Sequence, residues 1–221
     1  ALNAANRDAV RAEVREQLGL EERRTIVLYA PTWRDNLFHE EGPDAFSLTL
    51  DLNAAAERLG DDHAFLLRTH FLVGASVADS AGDAAINVSD YPDIRELYLA
   101  ADVLITDYSS AMFDFAITGK PMIFFAYDLE HYRDEMRGFY FDFEAEAPGP
   151  LCRTTDDVID VLADRDAALA PFAGRYRDFA DSHCALEDGR ASARVVDRVF
   201  AKAKSSTTVL TEAEILAEVY R

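Results

Sequence analysis

The stretch DYSSAMFDFAITGKP at 107–121 sets Asp107, Tyr108, Ser109 and Ser110 between the apolar run ADVLIT and a segment of helical spacing. In an open α/β sheet, ligands bind outside the carboxyl ends of the strands, where helix N-termini offer unpaired N–H groups and the positive end of a dipole. Two serines at such a junction add hydroxyl donors to those amides, which is the donor set a pyrophosphate requires. The same pattern also reads as a plain N-cap, with Ser109 or Ser110 closing the helix and no ligand involved. Two further strand ends carry polar groups suited to an anion. YAPTWRDN places Thr32, Trp33, Arg34, Asp35 and Asn36 after the first strand, and LLRTH places Arg68 and His70 after the second. Arg34 can fork onto phosphate oxygens or pair with Asp35, and Trp33 can stack or anchor the core. His70 can donate to charge developing on a phosphoryl or leaving group, or be merely exposed.

These groups meet only if the strands are parallel and share one rim. Short apolar runs at 25–30, 64–69, 86–88, 102–106 and 121–126 read as strands buried on both faces. Helix-length segments at 49–60, 93–101 and 110–118 fall between them, as right-handed βαβ crossovers demand. A leading amphipathic helix is expected over 4–19. Ser89, Asp90 and Tyr91 read as capping residues before a helix that Pro92 starts. The segment from 127 to 150, aromatic and charged and closed by Pro148, Gly149 and Pro150, reads as a long functional loop in which His131, Arg133 and Arg137 face solvent or a ligand. Thr154 and Asp157 have capping-box spacing, Pro171 opens another helix, Asp188 and Gly189 precede ASARVVDRVFAKAK, and Thr211 with Glu214 caps a last helix. Asp188 suits either an N-cap or contact with a ribose or anion.

Composition narrows the partners. With 221 residues and 49% hydrophobic content, the chain is long enough for a substantial core, and no run of about 18 apolar residues suggests a membrane span. Twenty-two basic against 41 acidic residues give a net charge of -19, which repels nucleic acid and anionic lipid. An anion site must therefore be local, built from amides, Arg or His. Cys152 and Cys184 lack metal-site or disulfide spacing and read as reduced structural thiols; adjacency of His183 and Cys184 is weak ground for a dyad. No metal and no cofactor are implied, and nothing specifies an oligomeric state.

Taken together, YAPTWRDN, LLRTH, SDYPDIRELYLAADVLITDYSSAMFDFA, GKPMIFFAYDLEHYRDEMRGFYFDFEAEAPGP and DGRASARVVDRVF resemble the CDP-glycerol glycerophosphotransferases of wall teichoic acid synthesis, over about 24 to 200. The resemblance implies a Rossmann-like parallel sheet with flanking helices, the C-terminal half of a GT-B-like architecture. It implies a nucleotide-binding domain over 1–204, led by a helix at 1–20 and followed by a short helix or tail at 205–221, with the acceptor-side N-terminal domain absent. In the reaction it implies, an acceptor hydroxyl attacks the β-phosphorus of CDP-glycerol, or of a related CDP-polyol, and CMP leaves; the alternative readings are the donor domain of a nucleotide-sugar glycosyltransferase and a non-catalytic nucleotide-binding module of a larger cell-wall polymerase. His70 matches a catalytic histidine, and Ser109 and Ser110 match phosphate-binding serines. Thr32, Arg34, Arg68 and Asp188 are further candidate substrate contacts. Phe71 stands where the family often has proline. The family's acceptor is lipid-linked, reached through the other domain, and its members work in the cytoplasm, peripheral to the inner face of the membrane.

Overall fold

A computed structural model describes residues 2, 5–32, 48–70 and 82–201. Its centre is a six-stranded sheet: β1 (Thr25–Tyr29), β2 (His63–Leu67), β3 (Ala85–Asn87), β4 (Val103–Thr106), β5 (Met122–Phe125) and β6 (Leu151–Cys152). Every pairing is parallel, and the spatial order is β3-β2-β1-β4-β5-β6. The chain winds outward from β1 in one direction and from β4 in the other. The crevice where that order reverses lies between the carboxyl ends of β1 and β4, the place where Rossmann-like sheets hold their ligands.

Strands buried on both faces explain the continuous apolar runs. Side chains alternate between faces, so Ile26, Leu28, Leu104, Met122 and Phe124 join one core, while Val27, Tyr29, Val103, Ile105, Ile123 and Phe125 join the other. Over the first core lie the helices Arg7–Gln17, Ile94–Ala100 and Ala111–Ala116, with Phe179 of the Ala173–His183 helix. The second is covered by Leu52–Leu59 and Thr155–Ala163. Local signals set the helix starts. Asp51 accepts from Ala54 N–H, and Thr154 with Asp157 completes the expected capping box. The helix near 93 is capped by Asp93, which accepts from Arg95 N–H, rather than by Ser89, Asp90 or Tyr91. Ser89 does something else: its hydroxyl accepts from Thr69 N–H at 3.0 Å and ties the end of β2 to the end of β3.

Residues 127–147 are more ordered than the expected loop. They form a helix at Leu129–His131 that continues as a π turn through Tyr132–Met136, then a second short helix at Phe143–Glu146. His131 pairs with Glu135, and Arg133 with Asp134 and Glu144. Gly149 then lets the chain pass against the backbone at Met122, where an added Cβ would sit 2.0 Å from a carbonyl oxygen.

At the opposite end of the sheet the leading helix is clamped to Asp102. Its Arg11 and Arg15 each approach that carboxylate at 2.7 Å, and Ile26 N–H donates to it at 2.8 Å. Lys120 adds donors to the carbonyls of Leu99 and Ala101, both at 2.6 Å, at the negative end of the Ile94–Ala100 helix. Burial alone would raise the Asp102 pKa, but the Ile26 amide and the two guanidiniums outweigh it and hold it below the ordinary value. A carboxyl whose folded pKa is depressed contributes stability above its unfolded pKa and loses it as pH falls through the folded one. Asp102→Asn should therefore lower the urea midpoint at pH 7, and the gap from wild type should shrink on acidification below about pH 4.

Contacts divide the chain into two compact units, Ala1–Ala185 and Leu186–Arg221. The second contains the helix Ala191–Val196, and residues 202–221, including the expected Thr211 cap, lie outside the described residues. No helix among the described residues is long and apolar enough to cross a membrane.

Candidate functional site

Asp107 organises the switch point. It follows β4 directly, is 3% exposed, and its Oδ1 accepts from Thr32 N–H at 2.8 Å, from the Thr32 hydroxyl and from Tyr108 N–H at 2.8 Å. One carboxylate oxygen thus pins the loop leaving β1 to the loop leaving β4. Thr106 adds a second tie, its hydroxyl donating to Ala30 C=O at 2.7 Å. A carboxylate at the end of a buried apolar strand is stable only with such partners. Its position beside ADVLIT was the signal in the sequence, and it was absent from the expected site residues.

Beyond Asp107, the two serines do different work. The Ser109 hydroxyl accepts from Ala111 N–H at 3.2 Å, and Ser109 C=O accepts from Met112 N–H at 3.2 Å. Ser110 C=O accepts from Phe113 N–H at 3.1 Å, while its hydroxyl makes no cap. The amides of the first helical turn are therefore already satisfied. The groups left without partners among the described residues are the N–H of Ser109, the N–H of Ser110 and the exposed Ser110 hydroxyl. Three adjacent donors at a switch point are groups of the kind an anion can use. The expected donor set shifts back by one turn, onto the serines themselves.

What holds that turn is the aromatic segment behind it. Tyr108 is buried with its ring 4.2 Å from that of Tyr132, and Phe139 and Phe143 pack on its other sides at 5.4 and 5.6 Å. The Tyr108 hydroxyl donates to Asp128 at 3.0 Å. Residues 127–147 thus act as a buttress for the serine turn. Arg153, just past β6, extends the same rim by donating to Ala126 C=O at 3.0 Å and to Glu130.

On the other side of the crevice, Arg68 N–H donates to Tyr29 C=O at 2.9 Å, which aligns the ends of β1 and β2. Its guanidinium Nη1 donates to the carbonyls of Val88 and Tyr91 at 2.9 and 2.8 Å. Arg68 thereby holds the turn that leaves β3. His70, two residues on, is exposed at the end of β2. Arg34, Trp33 and Phe71 lie outside the described residues. Asp188 belongs to the second compact unit, where its carboxylate accepts from Arg190 N–H at 2.9 Å and from Arg194, an interaction that holds its pKa low.

The thiols behave as a structural pair of separate residues. Cys152 is buried, which pushes its pKa up to about 12, and Cys184 donates to Phe113 C=O at 3.3 Å. His183 packs its ring among Phe113, Phe141 and Phe179. No group of three or more metal-ligating side chains occurs among the described residues.

The family model for CDP-glycerol:poly(glycerophosphate) glycerophosphotransferase matches residues 1–201. A teichoic acid poly(glycerol phosphate) polymerase of Bacillus subtilis is 42% identical over 200 residues, covering 90% of this chain and 27% of the relative. A teichoic acid glycerol-phosphate transferase of Staphylococcus aureus is 41% identical over 187 residues, covering 85% of this chain and 48% of the relative. The solved wall teichoic acid polymerase TagF superimposes with a TM-score of 0.79 at 36% identity, over 94% of this chain and 51% of TagF. A TagF variant soaked with CDPG gives 0.78 at 36% identity, over 91% of this chain and 49% of that one. This chain thus spans between about a quarter and a half of these proteins, and its parallel sheet with flanking helices matches about half of TagF, a GT-B-like protein. The match over residues 1–201 and the identity to these relatives, on a six-stranded parallel sheet, establish that the chain belongs to the CDP-glycerol:poly(glycerophosphate) glycerophosphotransferase family.

Proposed function

We propose that this chain is the donor-binding half of a transferase that moves glycerol phosphate from CDP-glycerol to a teichoic acid acceptor hydroxyl and releases CMP. The observation that carries the reading is the trio of open donors on Ser109 and Ser110 at the β1/β4 switch point, in a chain of this family. The pyrophosphate of CDP-glycerol is the group that fits them, and the Thr32–Asp107 contact keeps the two sides of the crevice in register for it. Thr32, Arg34 and Asp188 are proposed as further substrate contacts, and Arg68 as the residue that shapes the neighbouring wall.

In the reaction, the acceptor oxygen forms a bond to the β-phosphorus as the bond from that phosphorus to the bridging oxygen breaks, and the electron pair leaves with CMP. The acceptor proton passes to a base outside this chain's proposed donor site. His70, at the end of β2, is proposed to protonate or stabilise the departing phosphate. Most of the acceleration then comes from positioning and charge stabilisation. The acceptor is taken to be lipid-linked and bound by a second domain at the inner face of the membrane.

Calorimetric titration with CDP-glycerol tests the donor site. A hydrogen bond to a charged phosphate is worth about 1.5–3 kcal/mol, so Ser110→Ala should weaken CDP-glycerol roughly ten- to a hundredfold. Because the Ser110 hydroxyl caps nothing, the melting temperature should stay at the wild-type value. Unchanged affinity in that variant would remove the Ser110 hydroxyl from the site.

A further inference from the structure

At the amino ends of the strands, opposite the serine turn and roughly a strand length of 13 Å from it, lies an open cleft of about 690 Å³. Its walls come from the start of β1, the residues preceding β4 and β5, and the helix Arg165–Leu169. Four arginines, Arg11, Arg23, Arg24 and Arg165, line it against three carboxylates, Glu22, Asp102 and Asp166. In a chain of net charge -19, such a concentration of cations is a local exception.

The arginines are unequally committed. Arg11 is bound to Asp102 at 2.7 Å, and Arg23 pairs with Glu21 at 2.9 Å. Arg24 uses one amino group on His63 C=O, while its Nε is buried without a hydrogen-bond partner among the described residues. Arg165 has only a loose approach to Asp166, at 3.8 Å, and that carboxylate is 97% exposed. A guanidinium can only donate; the Arg24 Nε is closed off from solvent, so what is left to meet an outside acceptor is the rest of the Arg24 fork and the Arg165 guanidinium, on residues that line the cleft. Arg24 directly precedes β1 and Arg165 opens the helix Arg165–Leu169, so the two reach the cleft from distant parts of the chain. A planar carboxylate is satisfied by one guanidinium fork, whereas a tetrahedral oxyanion presents oxygens to both.

We propose that this cleft is a second anion site, distinct from the donor crevice, that binds a phosphate group, either free or within a phosphodiester chain. Arg24 and Arg165 are its principal ligands, and Arg23 at the rim screens the bound charge.

His63 reports on it. Its imidazole pKa is lowered first by burial, and Arg165 and Arg24 lower it further, against the opposing effects of the Leu59 backbone and Asp62. A phosphate between the two arginines cancels part of their influence, so its binding should raise the His63 titration midpoint.

The test is NMR titration of the 221-residue chain with inorganic phosphate and, separately, with a synthetic glycerol phosphate oligomer, following the His63 imidazole, with CMP affinity as the control. Saturable binding that shifts His63 is expected. Arg24→Ala and Arg165→Ala should each weaken binding about tenfold or more while CMP affinity stays constant. Equal response to both probes assigns the site to free phosphate, and preference for the oligomer assigns it to a chain; either outcome supports the site. If Arg24→Ala fails to fold through loss of its His63 contact, Arg165→Ala, at the mouth of the cleft, decides alone. Absence of binding, or wild-type binding in a folded Arg165→Ala protein, would overturn the proposal. Failure here leaves the Ser110→Ala result untouched, so the two sites are judged separately.

Discussion

Replacing Asp107 with alanine is expected to cost about 2–4 kcal/mol of stability and to weaken CDP-glycerol at least about tenfold. The size follows from what its Oδ1 holds: two backbone N–H groups and one hydroxyl, in a place where water is excluded. Alanine strands all three donors at once, and a buried unsatisfied donor is more costly than a missing bond. Function suffers for a separate reason. Without the carboxylate, the loops after β1 and β4 lose their common anchor, and the serine N–H groups lose their fixed aim. Asp107→Asn separates these effects, because its amide oxygen still accepts where the carboxylate did. The asparagine variant should retain most of the stability and most of the affinity. Urea unfolding and calorimetry on the two variants check this. An alanine variant as stable as wild type would show that Asp107 is not the tie between the loops.

His70→Ala carries the other large effect, on rate rather than on binding. In an active transferase that contains this chain, loss of the general-acid or charge-stabilising role proposed for His70 should reduce kcat about 100- to 10,000-fold. The Kd for CDP-glycerol should stay within about threefold of wild type, because the pyrophosphate is proposed to sit on the serine turn, which follows a different strand. Single-turnover kinetics with saturating donor separates chemistry from binding. If His70→Ala instead raised Kd with the chemical step unaltered, the histidine would be a binding residue, and another group would have to serve the leaving CMP.

Reading the residues alone went furthest where burial was continuous. The five apolar runs are β1 to β5, each within two residues of its expected bounds, because a strand covered on both faces leaves an uninterrupted hydrophobic signature. Strand β6 left no such trace. It is only Leu151–Cys152, and its existence depends on Gly149 passing close to β5, a tertiary event with no period in the sequence. Residues 127–147 looked like a loop because their aromatic side chains pack inward around Tyr108 from several short helical pieces rather than along one stripe. Residue type tells only part of the story at the rim. An arginine at a strand end suggests a phosphate contact, yet Arg68 Nη1 is aimed at the carbonyls of Val88 and Tyr91. Which carbonyls lack a partner is settled by how the turn after β3 folds, and no local pattern announces it. The serine pair was legible as a candidate, but the division of labour between capping by Ser109 and open donors on Ser110 came from geometry.

The switch-point crevice is proposed to recognise a CDP-linked polyol rather than a nucleotide sugar. Parallel calorimetric titrations of the wild-type chain with CDP-glycerol, CDP-ribitol, CMP and UDP-glucose test it directly. Saturable binding of CDP-glycerol at least about tenfold tighter than UDP-glucose is expected, a margin of about 1.4 kcal/mol. Tighter binding of UDP-glucose would contradict the account and make the crevice a glycosyl donor site.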